Sequence, residues 1–171
     1  ETPDSTTIYA LKKAKDNDCL TILNPAPART INENDFKLLD FFTPNETEAE
    51  FYLNKKIETN DDIKNAGKEF LNRGVKNIII TLGEKGIYFA NKNEEYFVDA
   101  LKLKDEVLDT TGAGDAFNGA FAVALANDHK YKDALIFANK VAGISTTRLG
   151  AASSMPTLKE VEEYWLITLL Y

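Results

Sequence analysis

The chain has 171 residues, 44% of them apolar, enough to bury one sizeable core and too many for a low-complexity or disordered segment. Its 20 basic and 27 acidic residues leave a formal charge of −7, a surface that repels phosphate backbones at long range, so no nucleic-acid partner is expected. No window reaches the roughly 18 consecutive apolar residues of a membrane span, and Glu1–Ser5 has neither the basic start nor the apolar stretch of a secretory signal.

In chain order, Ile8, Leu11 and Ala14 fall on one face of a first helix. Cys19–Leu23 then reads as a buried strand, with Cys19 as a buried structural thiol. Asn24-Pro25-Ala26-Pro27 forms a rigid loop, because each Pro lacks an amide donor and restricts its predecessor. A short helix near Asn34–Leu39 leads to a strand at Asp40–Thr43. Pro44 stops that strand, and Asn45 stands where a helix N-cap belongs, before Glu48, Phe51 and Tyr52. Asp61 or Asp62 is expected to cap the next helix, whose Ile63, Ala66, Gly67, Phe70 and Leu71 share one face, with Gly74 past its end. Asn77–Leu82 is apolar on both faces and belongs inside a sheet. Gly83–Gly86 and Asn91–Asn93 are turns between Asn77–Leu82, Ile87–Ala90 and Glu95–Val98, giving an antiparallel meander. Val107-Leu108 leads into a Gly-rich turn and a helix at 113–127, whose small side chains imply close packing against the sheet. A helix at 131–147 follows, then a last one opened by a Thr157/Glu160 capping box. Strands alternating with helices give the α/β class, a mostly parallel sheet with helices on both faces. The chain reads as a single domain.

Acid–base chemistry falls to carboxylates. Cys19 and His129 are the only residues of their kinds, which leaves no disulfide and no His- or Cys-based metal site. The richest segment is Asp109-Thr110-Thr111-Gly112-Ala113-Gly114-Asp115. Glycines at a strand-to-helix turn let the backbone approach a ligand, and the first amides of the helix form an anion site. Asp115, in the first helical turn, could accept the proton of an attacking hydroxyl while the amides of Gly112, Ala113 and Gly114 stabilise a transferring phosphoryl group. The plainer alternative is a carboxylate that only complements the helix dipole. Asn45 and Glu48, three residues apart on one helix face, could orient water ligands of Mg²⁺, or could simply be a cap with a solvated acid. The turn Thr81-Leu82-Gly83-Glu84-Lys85-Gly86 could lie against a nucleotide.

Together these motifs resemble the ribokinase family of carbohydrate kinases, which includes fructokinases and adenosine kinases. Asp-Thr-x-Gly-Ala-Gly-Asp at 109–115, Asn45-x-x-Glu48 and Leu82-Gly83-x-x-Gly86 carry the resemblance, in family order. Asn24–Arg29 and Pro44–Glu50 point to its ribose-phosphorylating branch. The resemblance implies a ribokinase-like three-layer fold and ATP-dependent phosphorylation of a sugar's primary hydroxyl, D-ribose giving D-ribose 5-phosphate. Asp115 would be the base and contact the sugar, with Gly112, Ala113 and Gly114 as the anion hole. Asn45 and Glu48 would serve the triphosphate and, through water, its Mg²⁺. Thr81, Leu82, Gly83, Glu84, Lys85, Gly86, Gly114 and Asn139 would bind ATP, with Asn139 beside the adenine. A monovalent cation, K⁺, would be held by Asp109, Thr111, Ser145, Arg148, Gly150 and Ser154, Arg148 giving only its carbonyl. The resemblance covers the family's C-terminal half. The N-terminal half, with its lid and most sugar contacts, is absent, so the chain reads as part of a longer cytoplasmic protein, which would dimerise through the lid.

Other members of that family act on fructose, a nucleoside or a keto-deoxy sugar acid. A non-catalytic nucleotide-binding module is the alternative of another class. A dinucleotide-binding oxidoreductase is not favoured, since Phe117 stands at the third Gly position of Gly-x-Gly-x-x-Gly and the turn comes late in the chain.

Overall fold

The computed structural model describes residues 2–103 and 105–168, with side chains in the last helix described up to Tyr164. The apolar end Trp165–Tyr171 therefore lies outside the described side chains. The chain forms two compact units, Glu1–Val98 and Asp99–Tyr171.

The first unit carries the sheet. In chain order it contains α1 (Asp4–Lys15), β1 (Ile22–Leu23), a 3₁₀ turn (Glu33–Leu38), β2 (Phe41–Phe42), α2 (Glu46–Leu53), α3 (Asn60–Asn72), β3 (Asn77–Thr81), β4 (Ile87–Asn91) and β5 (Glu95–Val98). The strands lie in sequence order, β1-β2-β3-β4-β5. β1, β2 and β3 pair in parallel, while β3, β4 and β5 pair antiparallel as the expected meander. The class is α/β, and the sheet is mixed rather than mostly parallel among the described residues. β3 is central and paired on both sides, as its two-sided apolarity requires. Among the described residues, β1 and β5 are the edge strands.

Ile63, Ala66 and Phe70 of α3 pack with Phe42, Ile78, Ile80, Tyr88 and Ala90 of the strands. Phe36, Phe42, Tyr52 and Phe70 meet mostly edge to face, with centroids 5.3–6.4 Å apart. Phe41, Ile79 and Phe89, on the alternate positions of the same strands, are fully buried too.

Two expectations are corrected. Cys19 is exposed, because only the last two residues of the Cys19–Leu23 run join the sheet and Leu20 is itself 64% exposed. The N-cap of α3 is Thr59, not Asp61 or Asp62. Its hydroxyl accepts from the Asp62 N–H, and the Asp62 carboxylate accepts from the Thr59 N–H at 2.9 Å. Both residue types cap well, and the reciprocal pair satisfies two otherwise orphaned donors where a lone Asp would satisfy one.

The second unit holds α4 (Ala113–Ala126), α5 (Tyr131–Ser145) and α6 (Leu158–Thr168). The Ala-rich α4 packs along α5, with the rings of Phe117 and Phe121 stacked 6.1 Å apart. Thr157 and Glu160 form the expected box at the start of α6, Glu160 accepting from the Thr157 N–H at 2.7 Å.

Candidate functional site

In the first unit the structure brings together the start of α2 and the end of β3. Asn45 forms an isolated parallel bridge with Thr81, and the Thr81 N–H donates to the Pro44 carbonyl at 3.0 Å. Asn45 caps α2: its Oδ1 accepts from the Glu48 N–H at 2.8 Å, and Glu48 Oε2 accepts from the Asn45 N–H at 2.9 Å. The cap and the ligand roles are compatible, since Asn45 Nδ2 and Glu48 Oε1 stay outside the box. Burial raises the Glu48 carboxyl above its ordinary value, against the lowering effect of the Asn45 N–H. A half-buried acid of this kind gains from a nearby cation.

Residues 82–86 form a short 3₁₀ turn at Gly83–Lys85, closed by Leu82 N–H to Gly86 O at 2.8 Å and Gly86 N–H to Gly83 O at 3.0 Å. Gly83 has φ +56° and open space where a Cβ would point, so the left-handed backbone is its only need for glycine. The Leu82 side chain is buried in the core, which leaves its backbone for an ATP contact. The Lys85 ammonium lies 3.6 Å from the Glu46 carboxylate.

In the second unit the Gly-rich turn hangs on the segment after α5. Leu108 and Asp109 both donate their N–H to the Thr146 carbonyl, at 2.8 and 3.2 Å. Asp109 Oδ1 accepts from the Thr111 N–H and Oδ2 from the Gly150 N–H, each at 2.9 Å. The Thr111 hydroxyl, then the Thr111 and Gly150 amides, hold the Asp109 carboxyl below its usual range. Gly112 is the N-cap of α4, with φ +77°, and a Cβ on it would lie 3.2 Å from Ala151 Cα. A side chain there would have to push the Ala151 backbone aside by a few tenths of an ångström.

Of the expected anion-hole amides, that of Ala113 donates to Thr110 O at 3.2 Å. It is thus engaged by the turn itself, whereas the N–H groups of Gly112, Gly114 and Asp115 meet no acceptor among the described residues. Gly114 and Asp115 are exposed in the first turn of a 14-residue helix. Such a terminus favours an anion beside the carboxylate.

Asp109, Thr111 and Gly150 are thus brought together. Ser145 and Ser154 are buried, each giving its hydroxyl hydrogen to a nearby carbonyl (Ala142 O at 2.8 Å, Ala151 O at 2.7 Å), which leaves oxygen lone pairs for a cation. The Arg148 guanidinium pairs with Glu160 at 2.8 Å and is held by that contact. Carbonyl and hydroxyl oxygens of this kind suit a hard monovalent ion. No cluster of three or more His, Cys, Asp or Glu that could hold a metal ion occurs among the described residues. Asn139 Nδ2 donates to the Asp99 carbonyl at 2.7 Å, which leaves Oδ1 and the second Nδ2 hydrogen for a ligand.

The sequence pattern of the pfkB family carbohydrate kinases matches residues 2–158. The chain belongs to this family. Among the relatives of this pfkB-family chain, ribokinase of Staphylococcus aureus is 38% identical over 164 residues, covering 95% of this chain and 53% of that protein. Deoxyribokinase of Salmonella typhi is 36% identical over 160 residues, covering 93% and 52%. Among solved structures, ribokinase of Arabidopsis thaliana complexed with ribose and ATP superposes with a TM-score of 0.89 at 32% identity, covering 95% of this chain and 52% of that one. Ribokinase of Thermotoga maritima gives 0.81 at 43% identity, covering 92% and 52%. The ribokinase-like fold and the carbohydrate-kinase family follow from these matches. The chain spans about half the length of the curated relatives it matches.

Sequence reasoning overlooked two groups in this pfkB-family chain. The Thr146 carbonyl carries the approach to the Gly-rich turn, and Glu160 holds Arg148. A backbone acceptor has no sequence signal. The capping box did mark Glu160, but a local pattern does not reveal that its second oxygen reaches another element.

Proposed function

We propose that the chain is the ATP-binding and phosphoryl-transfer part of a single ribokinase-like domain, in a kinase that phosphorylates the primary hydroxyl of D-ribose. The observation that carries this reading is the start of α4. There an exposed Asp115 stands in the same helical turn as N–H groups that meet no acceptor among the described residues. Asp115 accepts the proton of the sugar hydroxyl as it attacks the γ-phosphorus, and the Gly112 and Gly114 amides stabilise charge on the transferring group. Ala113 joins them when its N–H leaves the Thr110 carbonyl. Catalysis is positioning and electrostatics with no covalent intermediate.

Asn45 Nδ2 and Glu48 Oε1 orient water around a Mg²⁺, which when bound neutralises charge on the phosphates. Thr81, Gly83, Glu84, Lys85 and Gly86 line the nucleotide, with Asn139 at the adenine. Asp109, Thr111, Ser145, Gly150, Ser154 and the Arg148 carbonyl hold K⁺ beside the anion hole. A cytoplasmic setting and a dimer formed through segments outside this chain complete the proposal. Among the described residues, no helix is long and apolar enough to cross a membrane.

The relative named deoxyribokinase supports 2-deoxyribose as the second candidate acceptor. ADP release by the protein as encoded, measured with D-ribose, 2-deoxyribose, fructose and adenosine, tests the assignment. Release that depends on ribose and is fastest with it is expected. Release that ignores the sugar, or is faster with fructose or adenosine, overturns it.

A further inference from the structure

The Gly-rich turn does not hold itself. Asp109 and Leu108 are suspended from Thr146 and Gly150, and Gly112 rests against Ala151, so the turn takes its position from the segment 146–151. That segment has little apolar anchorage of its own, with Leu149 73% exposed. Its first residues hydrogen-bond back onto the end of α5 (Thr147 N–H to Ile144 O at 3.1 Å, Arg148 N–H to Ser145 O at 3.3 Å), and the ion pair of Arg148 Nη2 with Glu160 Oε1 at 2.8 Å ties it to α6. Glu160 is in turn fixed from its other oxygen, which accepts from the Thr157 N–H at 2.7 Å and the Thr157 hydroxyl at 2.8 Å. With Oε2 engaged twice by Thr157, the carboxylate presents Oε1 to Arg148 in a set direction. A continuous path runs from the first turn of α6 through Arg148 to Asp109 and the N-terminus of α4.

We propose that Glu160 is a positioning residue for the phosphoryl-transfer turn: by clamping Arg148 it holds the segment 146–151, and through it Asp109 and Gly112, in the geometry the reaction needs. This rests on reading Asp115 and its neighbouring amides as the reaction centre. Because the turn stabilises charge that develops during transfer, loosening the clamp lowers kcat more than it changes KM for ATP.

Glu160→Gln is the informative variant, since the amide oxygen can still accept from Thr157 and keep the helix capped while the charge that holds Arg148 is gone. In the protein as encoded, it should lower kcat by about two- to fivefold, the range an exposed ion pair can supply, with KM for ATP nearly unchanged. Arg148→Met should lower kcat comparably, and the double variant should be no worse than either single one. Independently of turnover, amide exchange at Gly150 and Thr111 should rise in Glu160→Gln and stay at the parent level in Lys159→Gln, which touches only the exposed Lys159–Glu163 pair (3.8 Å). Parent-like kcat and parent-like exchange in Glu160→Gln overturn the clamp, as do losses that multiply in the double variant. Asp115→Ala measured alongside separates the two readings. If it abolishes turnover while Glu160→Gln behaves as the parent, only the clamp fails; if it turns over like the parent, the reaction centre itself is misassigned.

Discussion

Replacing Gly112 by Ala tests whether the close approach of two backbones sets the site. The residue has φ +77°, where an L-side chain costs roughly 1–2 kcal/mol. Loss of conformational freedom in the unfolded chain returns about 0.4–1 kcal/mol of that. The added Cβ would meet Ala151 Cα at 3.2 Å, and the neighbour is backbone, held by the Gly150 N–H to Asp109 at 2.9 Å. It cannot swing aside like a flexible side chain, so about 1 kcal/mol of overpacking is added. The net is about 1–2.6 kcal/mol, or a melting temperature lower by about 2–10 °C. Displacing the α4 N-terminus by even a fraction of an ångström should also lower turnover by about tenfold or more. Gly83→Ala is the control, with a similar left-handed φ of +56° but nothing within 4 Å of the new methyl. It should cost about 0–1.6 kcal/mol, about 1 kcal/mol less than Gly112→Ala. Thermal melts and ADP-release kinetics of both variants are the assays. Gly112→Ala that melts and turns over like the parent, or that melts no lower than Gly83→Ala, refutes the argument.

Two further variants test the frame that holds the site. Asp40 is buried, and although burial works to raise its pKa, hydrogen bonds from Lys15, Lys76 and Thr21 outweigh it and hold the carboxyl at about 2 instead of 3.8. A depressed carboxylate stabilises the fold above its unfolded pKa and stops doing so as pH falls toward 2. The parent should therefore lose about 2 kcal/mol between roughly pH 5 and pH 2 that Asp40→Asn lacks, read by urea unfolding at each pH; identical pH profiles count against it. Gly67→Ala sets helix propensity, a gain of about 1 kcal/mol, against overpacking of about 1–3 kcal/mol. A Cβ there would come 2.5 Å from Cε1 of the fully buried Tyr88, so a net loss is expected, and a raised melting temperature would show the core yields.

Much of this was legible in the sequence because local chemistry and global fold agree. Asn45 has both the cap residue and its partner three positions on. β3 announces its central place by being apolar on both faces, and the glycines at 112 and 83 mark left-handed backbone. The failures have physical causes. A five-residue apolar run at Cys19–Leu23 does not say how much of it finds a partner strand, and only two residues do. Thr59, Asp61 and Asp62 all suit a cap, and the choice fell to the reciprocal hydrogen bonds. The motif at Leu82–Gly86 does not say that the Leu82 side chain fills the core. The bond from the Ala113 N–H to the Thr110 carbonyl was equally illegible, because the closure of that turn depends on backbone angles that no residue type dictates. The hold of Gly150 on Asp109 spans 41 residues, a separation at which local patterns carry no information.

The central claim is that Asp115 is the base at the start of α4, and Asp115→Ala in the protein as encoded tests it most directly. Turnover measured by ADP release with ribose should fall by at least about 10²–10⁴-fold, while calorimetry still shows ATP·Mg²⁺ binding as in the parent. Undiminished turnover would contradict the account.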